Sequence, residues 1–271
     1  MRKFLPAVLA LILAAGTSLY VRAQPAPPSA GMGGPPAGVA GYLGGRTSGE
    51  ALVLLTPPPT PKSPEGRADR AVYNATRKLQ GSDRWSMATA DADARLPGAL
   101  RAFDCAVGAD LDPAKAPVLF KVMRRSVIDA GGLVGPAKDH FARPRPMIGN
   151  IGATCTPRSE ILGGSYPSGH STAGWTWAMI LAELAPDRAA QILARGRAYG
   201  DSRVVCGAHY VTDVQAGLLL GSATVAQLNA NAEFQSDMKA ARAELDALRA
   251  AGGPPAGQCA AEAKLVADPG Y

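Results

Sequence analysis

The chain predicts an all-α fold: a single helical-bundle domain with a candidate active site at helix N-termini and a basic loop. Two patterns carry that prediction. About seven segments repeat apolar residues at the helical spacing i, i+3, i+4, i+7, and almost nothing alternates at period two. The run after His170 is apolar around most of its circumference, with Trp175, Ala178, Met179 and Ala182 on one face and Trp177, Ile180, Leu181 and Leu184 on another. Such a helix belongs inside a bundle. At 271 residues, 47% of them apolar, the chain is long enough to bury one large core.

Taken in order, Arg2 and Lys3 precede an apolar run from Phe4 to Ala15, and Val21-Arg22-Ala23 offers small residues at the usual processing positions, so residues 1–23 read as a secretory signal peptide. Residues 24–50 are rich in Gly and Pro and read as a flexible leader. A domain over 51–252 follows. It begins with a short apolar strand or extended anchor at 51–55, and the prolines of 56–61 then impose a polyproline-like path. Residues 68–79 read as a helix with Ala71, Ala75 and Leu79 on one face, ended by Gly81; an alanine-rich helical stretch follows Asp91, Asp93 and Arg95 and closes near Gly108. Asp112-Pro113 reads as an N-cap and first turn opening a helix through Val118, Val122, Met123 and Val127, with Gly131 and Gly132 ending it and a basic loop beyond the Gly135-Pro136 turn. After the apolar helix that Pro186 stops, 187–199 is a more polar helix, 213–228 a strongly apolar one, and 233–250 an amphipathic one carrying Phe234, Met238 and Leu245. Residues 253–271 read as a C-terminal tail.

Removing residues 1–23 takes away Arg2, Lys3 and Arg22 and no acid, so the formal charge falls from +6 to +3. With scattered basic residues and 6% aromatics, neither phosphate tracking nor base stacking is indicated, and no nucleic-acid partner is expected. No stretch after the signal reaches about 18 uninterrupted apolar residues, so no membrane association is expected once the signal is cleaved. A homo-oligomer is compatible with all of these features. Cys105, Cys155, Cys206 and Cys259 are an even number in an exported chain and read as two disulfides, with three pairings open. None forms a Cys-x-x-Cys pair, so a zinc site is not expected.

Three clusters hold most of the residues able to do chemistry. Lys138 is followed by Arg145-Pro146; Pro167-Ser168-Gly169-His170 stands before the apolar helix; and Ser202-Arg203 precedes His209 and Asp213. A phosphoryl group passing to five-coordination spreads negative charge over three equatorial oxygens. Lys138, Arg145 and Arg203 supply three positive charges for it, while Ser168 and the Gly169 amide add neutral donors at a helix N-terminus. His209 and Asp213 are four apart, so on one helical turn the carboxylate would hold one imidazole nitrogen and leave the other to attack. His170 would then protonate the leaving alkoxide and later activate water. His140 pairs with nothing by spacing and reads as structural.

Lys-x6-Arg-Pro, Pro-Ser-Gly-His and Ser-Arg-x5-His-x3-Asp together resemble the signature of the type-2 phosphatidic acid phosphatase and vanadium haloperoxidase superfamily, with no signature position substituted. Within it the chain is similar to the secreted bacterial class A non-specific acid phosphatases, also at 54–59, Ser165-Tyr166, 184–186, 194–197 and Cys206-Gly207. The resemblance implies an all-helical periplasmic or secreted enzyme. It would hydrolyse small-molecule phosphomonoesters of broad range through a phosphohistidine, without metal or other cofactor. It implies His209 as nucleophile, Asp213 as its partner and His170 as general acid, with Lys138, Arg145, Ser168, Gly169 and Arg203 holding phosphate. It also implies the pair Cys155–Cys206 and with it Cys105–Cys259.

Two other readings use the same residues. In a vanadate-dependent haloperoxidase the cations would hold vanadate and His209 would ligate it; halide oxidation requiring added vanadate marks that case. In a non-catalytic periplasmic phosphate-binding protein, tight phosphate binding would occur without hydrolysis.

Overall fold

Burial on three sides of one helix governs the architecture. The computed structural model describes residues 38–44, 50–150 and 152–271, with the side chain of Glu160 left aside. The signal peptide and most of the leader lie outside the described residues. Among these, ten α-helices and four short 3-10 turns occur and no strand, which is the all-α class expected. None of the described helices is long and apolar enough to cross a membrane.

The central element is α6 (Gly169–Leu184), packed most extensively against α7 (Ala189–Val205) and α8 (Val211–Leu228). Close approach is possible because glycines stand at the crossings: a Cβ on Gly174 would lie 2.3 Å from the Tyr199 ring, and one on Gly217 2.7 Å from the Ser168 carbonyl. Trp177, Ile180, Leu181 and Leu184 of α6 join Phe103, Leu119, Met123 and Tyr199 in the main core. Phe234 and Leu245 of α9 (Ala232–Ala251) close it.

Ahead of this centre, α1 (Ala51–Leu54) is a single helical turn where a strand or extended anchor was expected; Ala51 and Leu55 are buried against Leu133, Ala216 and Leu220. Ser63 caps α2 (Pro64–Thr76) by accepting from the Gly66 amide at 3.1 Å, and Ser82 caps α3 (Asp83–Ala90) through the Trp85 amide at 3.2 Å. The short α4 (Asp104–Val107) ends at Gly108 in the left-handed region.

Gly131 and Gly132 do not end the next helix. α5 runs from Pro117 to Phe141, 25 residues, through both glycines and Pro136. Beyond the glycines, Leu133, Val134 and Ala137 are buried against Tyr166, Ala216 and Leu220. That burial offsets a propensity cost of roughly 1 kcal/mol per glycine. Its first amides are capped from another helix: the Glu244 carboxylate accepts from Val118 N at 3.1 Å and Leu119 N at 2.8 Å. The consequence for the site is that Lys138 sits on a helix and only Arg143 and Arg145 sit on the basic loop.

Both ends of the described chain are fastened. Within the stretch read as a leader, the amides of Tyr42 and Leu43 donate to the Asp129 carboxylate at 2.7 and 3.1 Å, and both side chains are buried. The stretch read as a tail carries α10 (Ala256–Ala267), stapled by Cys105–Cys259, and the Tyr271 hydroxyl reaches Asp201 at 2.8 Å.

Candidate active site

Each cluster reaches the site from a different element. Lys138 stands on the last turn of α5, Arg145 on the loop beyond it, and Ser168 and His170 at the start of α6. Arg203 lies near the end of α7, His209 in the turn to α8, and Asp213 in the first turn of α8. Backbone bonds join these ends. Ser168 N donates to the Asp213 carbonyl at 3.0 Å, and the Arg203 carbonyl accepts from the amides of Ala208 and His209 at 3.1 and 3.3 Å. The disulfide Cys155–Cys206 ties the loop ahead of α6 to the end of α7, and both disulfides follow the pairing the family resemblance implied.

Arg145 is the hub. Its Nε donates to Gly163 O at 3.1 Å, Nη2 to Leu162 O at 2.7 Å, and Nη1 to Ala208 O at 3.0 Å. Nη1 also lies 2.8 Å from His209 Nε2. A guanidinium has no acceptor, so Nε2 must present its lone pair there and the hydrogen of neutral His209 sits on Nδ1. Lys138 Nζ donates to Gly164 O at 2.5 Å, so the same loop is held by both cations.

His170 is fixed in the opposite sense. Its Nε2 lies 3.0 Å from the carbonyl of Ala92, which only accepts, so Nε2 carries a hydrogen and Nδ1 is the nitrogen that gains or loses one. Ser168 caps α6: its Oγ accepts from the Ser171 amide at 3.3 Å and the Ser171 hydroxyl at 2.8 Å, which leaves its own O–H to donate. Gly169 is the first residue of that helix, where amide groups point outward.

Arg203 is 4% exposed, and its Nε and Nη1 meet no acceptor among the described residues. Buried donors of a charged group are costly without a partner. Burial lowers its pKa, and burial and then Arg203 push Arg145 down to about 10. Lys138 is pushed down to about 7 by burial and Arg145, against the pull of Asp213 and Asp139. Both imidazoles lie well below the ordinary histidine range, His209 through burial and then Arg145, Lys138 and Arg203, His170 through burial and then Arg203. Three cations act on both rings, a field complementary to an oxyanion.

Asp213 departs from the simple orienting role. His209 precedes α8 instead of sharing a turn with Asp213, and its Nδ1 lies 3.4 Å from Asp213 Oδ2, beyond an ordinary hydrogen bond. The carboxylate accepts instead from Arg143 Nη1 at 2.6 Å, Ser165 Oγ at 2.5 Å and Tyr210 N at 2.8 Å. Arg143 also donates to Asp69 at 2.9 Å, making a buried Asp69–Arg143–Asp213 triad that spacing did not reveal. The doubled Arg143-Pro144-Arg145-Pro146 was its one trace in the sequence. His140 remains apart, edge-on to Phe141. No group of three His, Cys, Asp or Glu side chains suited to a metal occurs among the described residues.

Comparison with known proteins agrees with this geometry. The PAP2 superfamily matches residues 124–232, which contain all three clusters. An acid phosphatase of Zymomonas mobilis is 46% identical over 203 residues, covering 74% of this chain and 77% of that protein. Non-specific acid phosphatases of Providencia stuartii and Salmonella typhimurium are each 36% identical. The first alignment covers 77% of this chain and 86% of the relative, the second 71% and 78%.

Proposed function

This chain belongs to the PAP2 superfamily and, within it, to the bacterial class A non-specific acid phosphatases, and from that premise we propose a covalent route through His209. The protein is a phosphoric monoester hydrolase acting on small-molecule phosphomonoesters. In the proposed cycle Lys138, Arg145, Arg203, Ser168 and the Gly169 amide hold the phosphoryl oxygens. His209 Nε2 attacks phosphorus, the P–O bond to the alcohol breaks, and the proton on His170 Nδ1 passes to the departing oxygen. Water then attacks the phosphohistidine, His170 Nδ1 takes its proton, and the P–N bond breaks to release inorganic phosphate.

The observation that carries this reading is the 2.8 Å contact of Arg145 Nη1 with His209 Nε2, which keeps a lone pair on the nitrogen beside the phosphate-holding cations. The orphaned Arg203 donors support an anion there. The charge a metal would supply is supplied by three side chains, so turnover proceeds without metal and survives chelation. Broad substrate range follows if recognition is confined to the phosphoryl group. Two disulfides support export to an oxidising compartment. Rapid quench of a 32P-labelled monoester into alkali, where phosphohistidine survives, should yield label on His209. Absence of label in wild type while product forms in a burst would refute the covalent route.

A further inference from the structure

The third cluster contains a serine that the phosphate site does not use. Ser202 is fully buried, and its Oγ donates to Asp91 Oδ2 at 2.6 Å and approaches Ala198 O at 2.9 Å. Asp91, 2% exposed at the end of α3, also receives a two-point contact from Arg195 of α7, at 2.5 Å to Oδ1 and 3.1 Å to Oδ2. Arg84 donates to Ser202 Oγ at 3.0 Å, and Glu262 of α10 lies 3.5 Å from Arg195. A buried ion pair of this kind is a poor source of stability, because desolvation consumes much of the attraction. Its geometric effect is specific: it sets the end of α3 against α7 at one register.

The residue after Asp91 is Ala92, whose carbonyl accepts from His170 Nε2 at 3.0 Å. The residue after Ser202 is Arg203, with two orphaned donors. Asp91 therefore bridges the segment that orients one imidazole and the helix that carries a phosphate-holding cation. We propose that Asp91 is a positioning residue for His170: clamped by Arg195 and Ser202, it fixes the Ala92 carbonyl that keeps the hydrogen on Nε2 and turns Nδ1 toward the leaving group. This inference rests on the proposed role of His170 as general acid.

The distinguishing readout is leaving-group dependence. p-Nitrophenolate departs without a proton, whereas the alkoxide of glycerol 2-phosphate needs one. Asp91→Asn should lower kcat/KM for glycerol 2-phosphate about 10- to 100-fold, part of the roughly 10²- to 10⁴-fold that general acid catalysis supplies. It should change p-nitrophenyl phosphate by less than about 3-fold, with competitive inhibition by phosphate preserved. Ser202→Ala, a smaller excision less prone to misfold, should move the same ratio in the same direction by about 3- to 10-fold. If both variants lower the two substrates by one common factor, or alter neither, Asp91 is only structural and the inference is overturned while the acid role stands. His170→Ala separates the two failures: if it affects both substrates equally, the acid role itself fails and this inference falls with it.

Discussion

Lys138→Met should make the phosphate-free protein more stable in acid while removing part of its catalytic power. The Lys138 ammonium is 7% exposed and its pKa falls from 10.5 to about 7, chiefly by burial and then by Arg145. Between those values the unfolded chain binds a proton that the folded chain does not, so stability rises with pH from about 7 to 10.5 and is lowest once the ammonium is formed below 7. The displacement corresponds to about 5 kcal/mol held against the charged form, and water reaching the ammonium trims this to an expected span of about 2–5 kcal/mol. The assay is urea unfolding of wild type and variant, disulfides intact and phosphate absent, at pH 6 and pH 10. Methionine also forfeits the bond to Gly164 O, a loss present at both pH values, so the informative quantity is how the difference between the two proteins changes with pH. It should swing toward the variant on acidification. A difference independent of pH, or one swinging toward wild type in acid, would refute the argument that the fold holds this cation at a cost.

Other outcomes follow from the same geometry. Inhibition by sulfate, whose charge is constant over this range, should weaken about tenfold per pH unit between about 6 and 7, where binding takes up a proton on His170, and about a hundredfold per unit above about 7 as Lys138 also loses its proton, measured as Ki against p-nitrophenyl phosphate. Arg143→Gln leaves Asp69 and Asp213 buried, 2% and 0% exposed, without their cation, and should cost about 3–5 kcal/mol in urea unfolding. Removing Cys155–Cys206 by Cys→Ser at both positions opens a loop of sequence separation 51, an expected loss of about 4 kcal/mol with a raised KM as the loop carrying Gly163 and Gly164 loosens. Sulfate binding near pH 6 should take up about one proton, read as the dependence of calorimetric heat on buffer ionisation enthalpy, because His170 is neutral beforehand and sulfate brings no proton of its own.

The sequence made the three clusters legible because phosphoryl chemistry demands particular side chains, and the helix caps and turns that present them keep their spacing short. α6, α8 and α9 were legible for another reason: their apolar residues recur at the helical period and each packs into the main core. The same logic failed for α5, where Gly131, Gly132 and Pro136 look like a stop locally and burial of Leu133, Val134 and Ala137 carries the helix past them. It failed for α10 too, which is fastened by a disulfide to a cysteine 154 residues away. The supporting charges were illegible altogether. Arg143 meets Asp69 across 74 positions and Arg195 meets Asp91 across 104, distances over which no spacing rule operates.

These supporting pairs explain how the site tolerates its own charge. Asp213 is saturated by Arg143, Ser165 and the Tyr210 amide, so it offsets the cations without drawing the proton from His209, whose Nδ1 stays 3.4 Å away. Asp91 is likewise saturated by Arg195 and Ser202, so it does not quench the free donors of Arg203. Each carboxylate lies near enough to lower the cost of burying a cation and is bonded so that it does not replace the substrate. Burial first, and then the residual positive field, keeps both imidazoles neutral. For His209 this is the nucleophilic form, with its Nε2 lone pair accepting from Arg145 until substrate arrives. For His170 it is the wrong form for an acid, and only an anion's charge brings its proton. A phosphate ester entering as a dianion would thus create the acid that expels its alcohol, and a neutral ligand of the same shape would not.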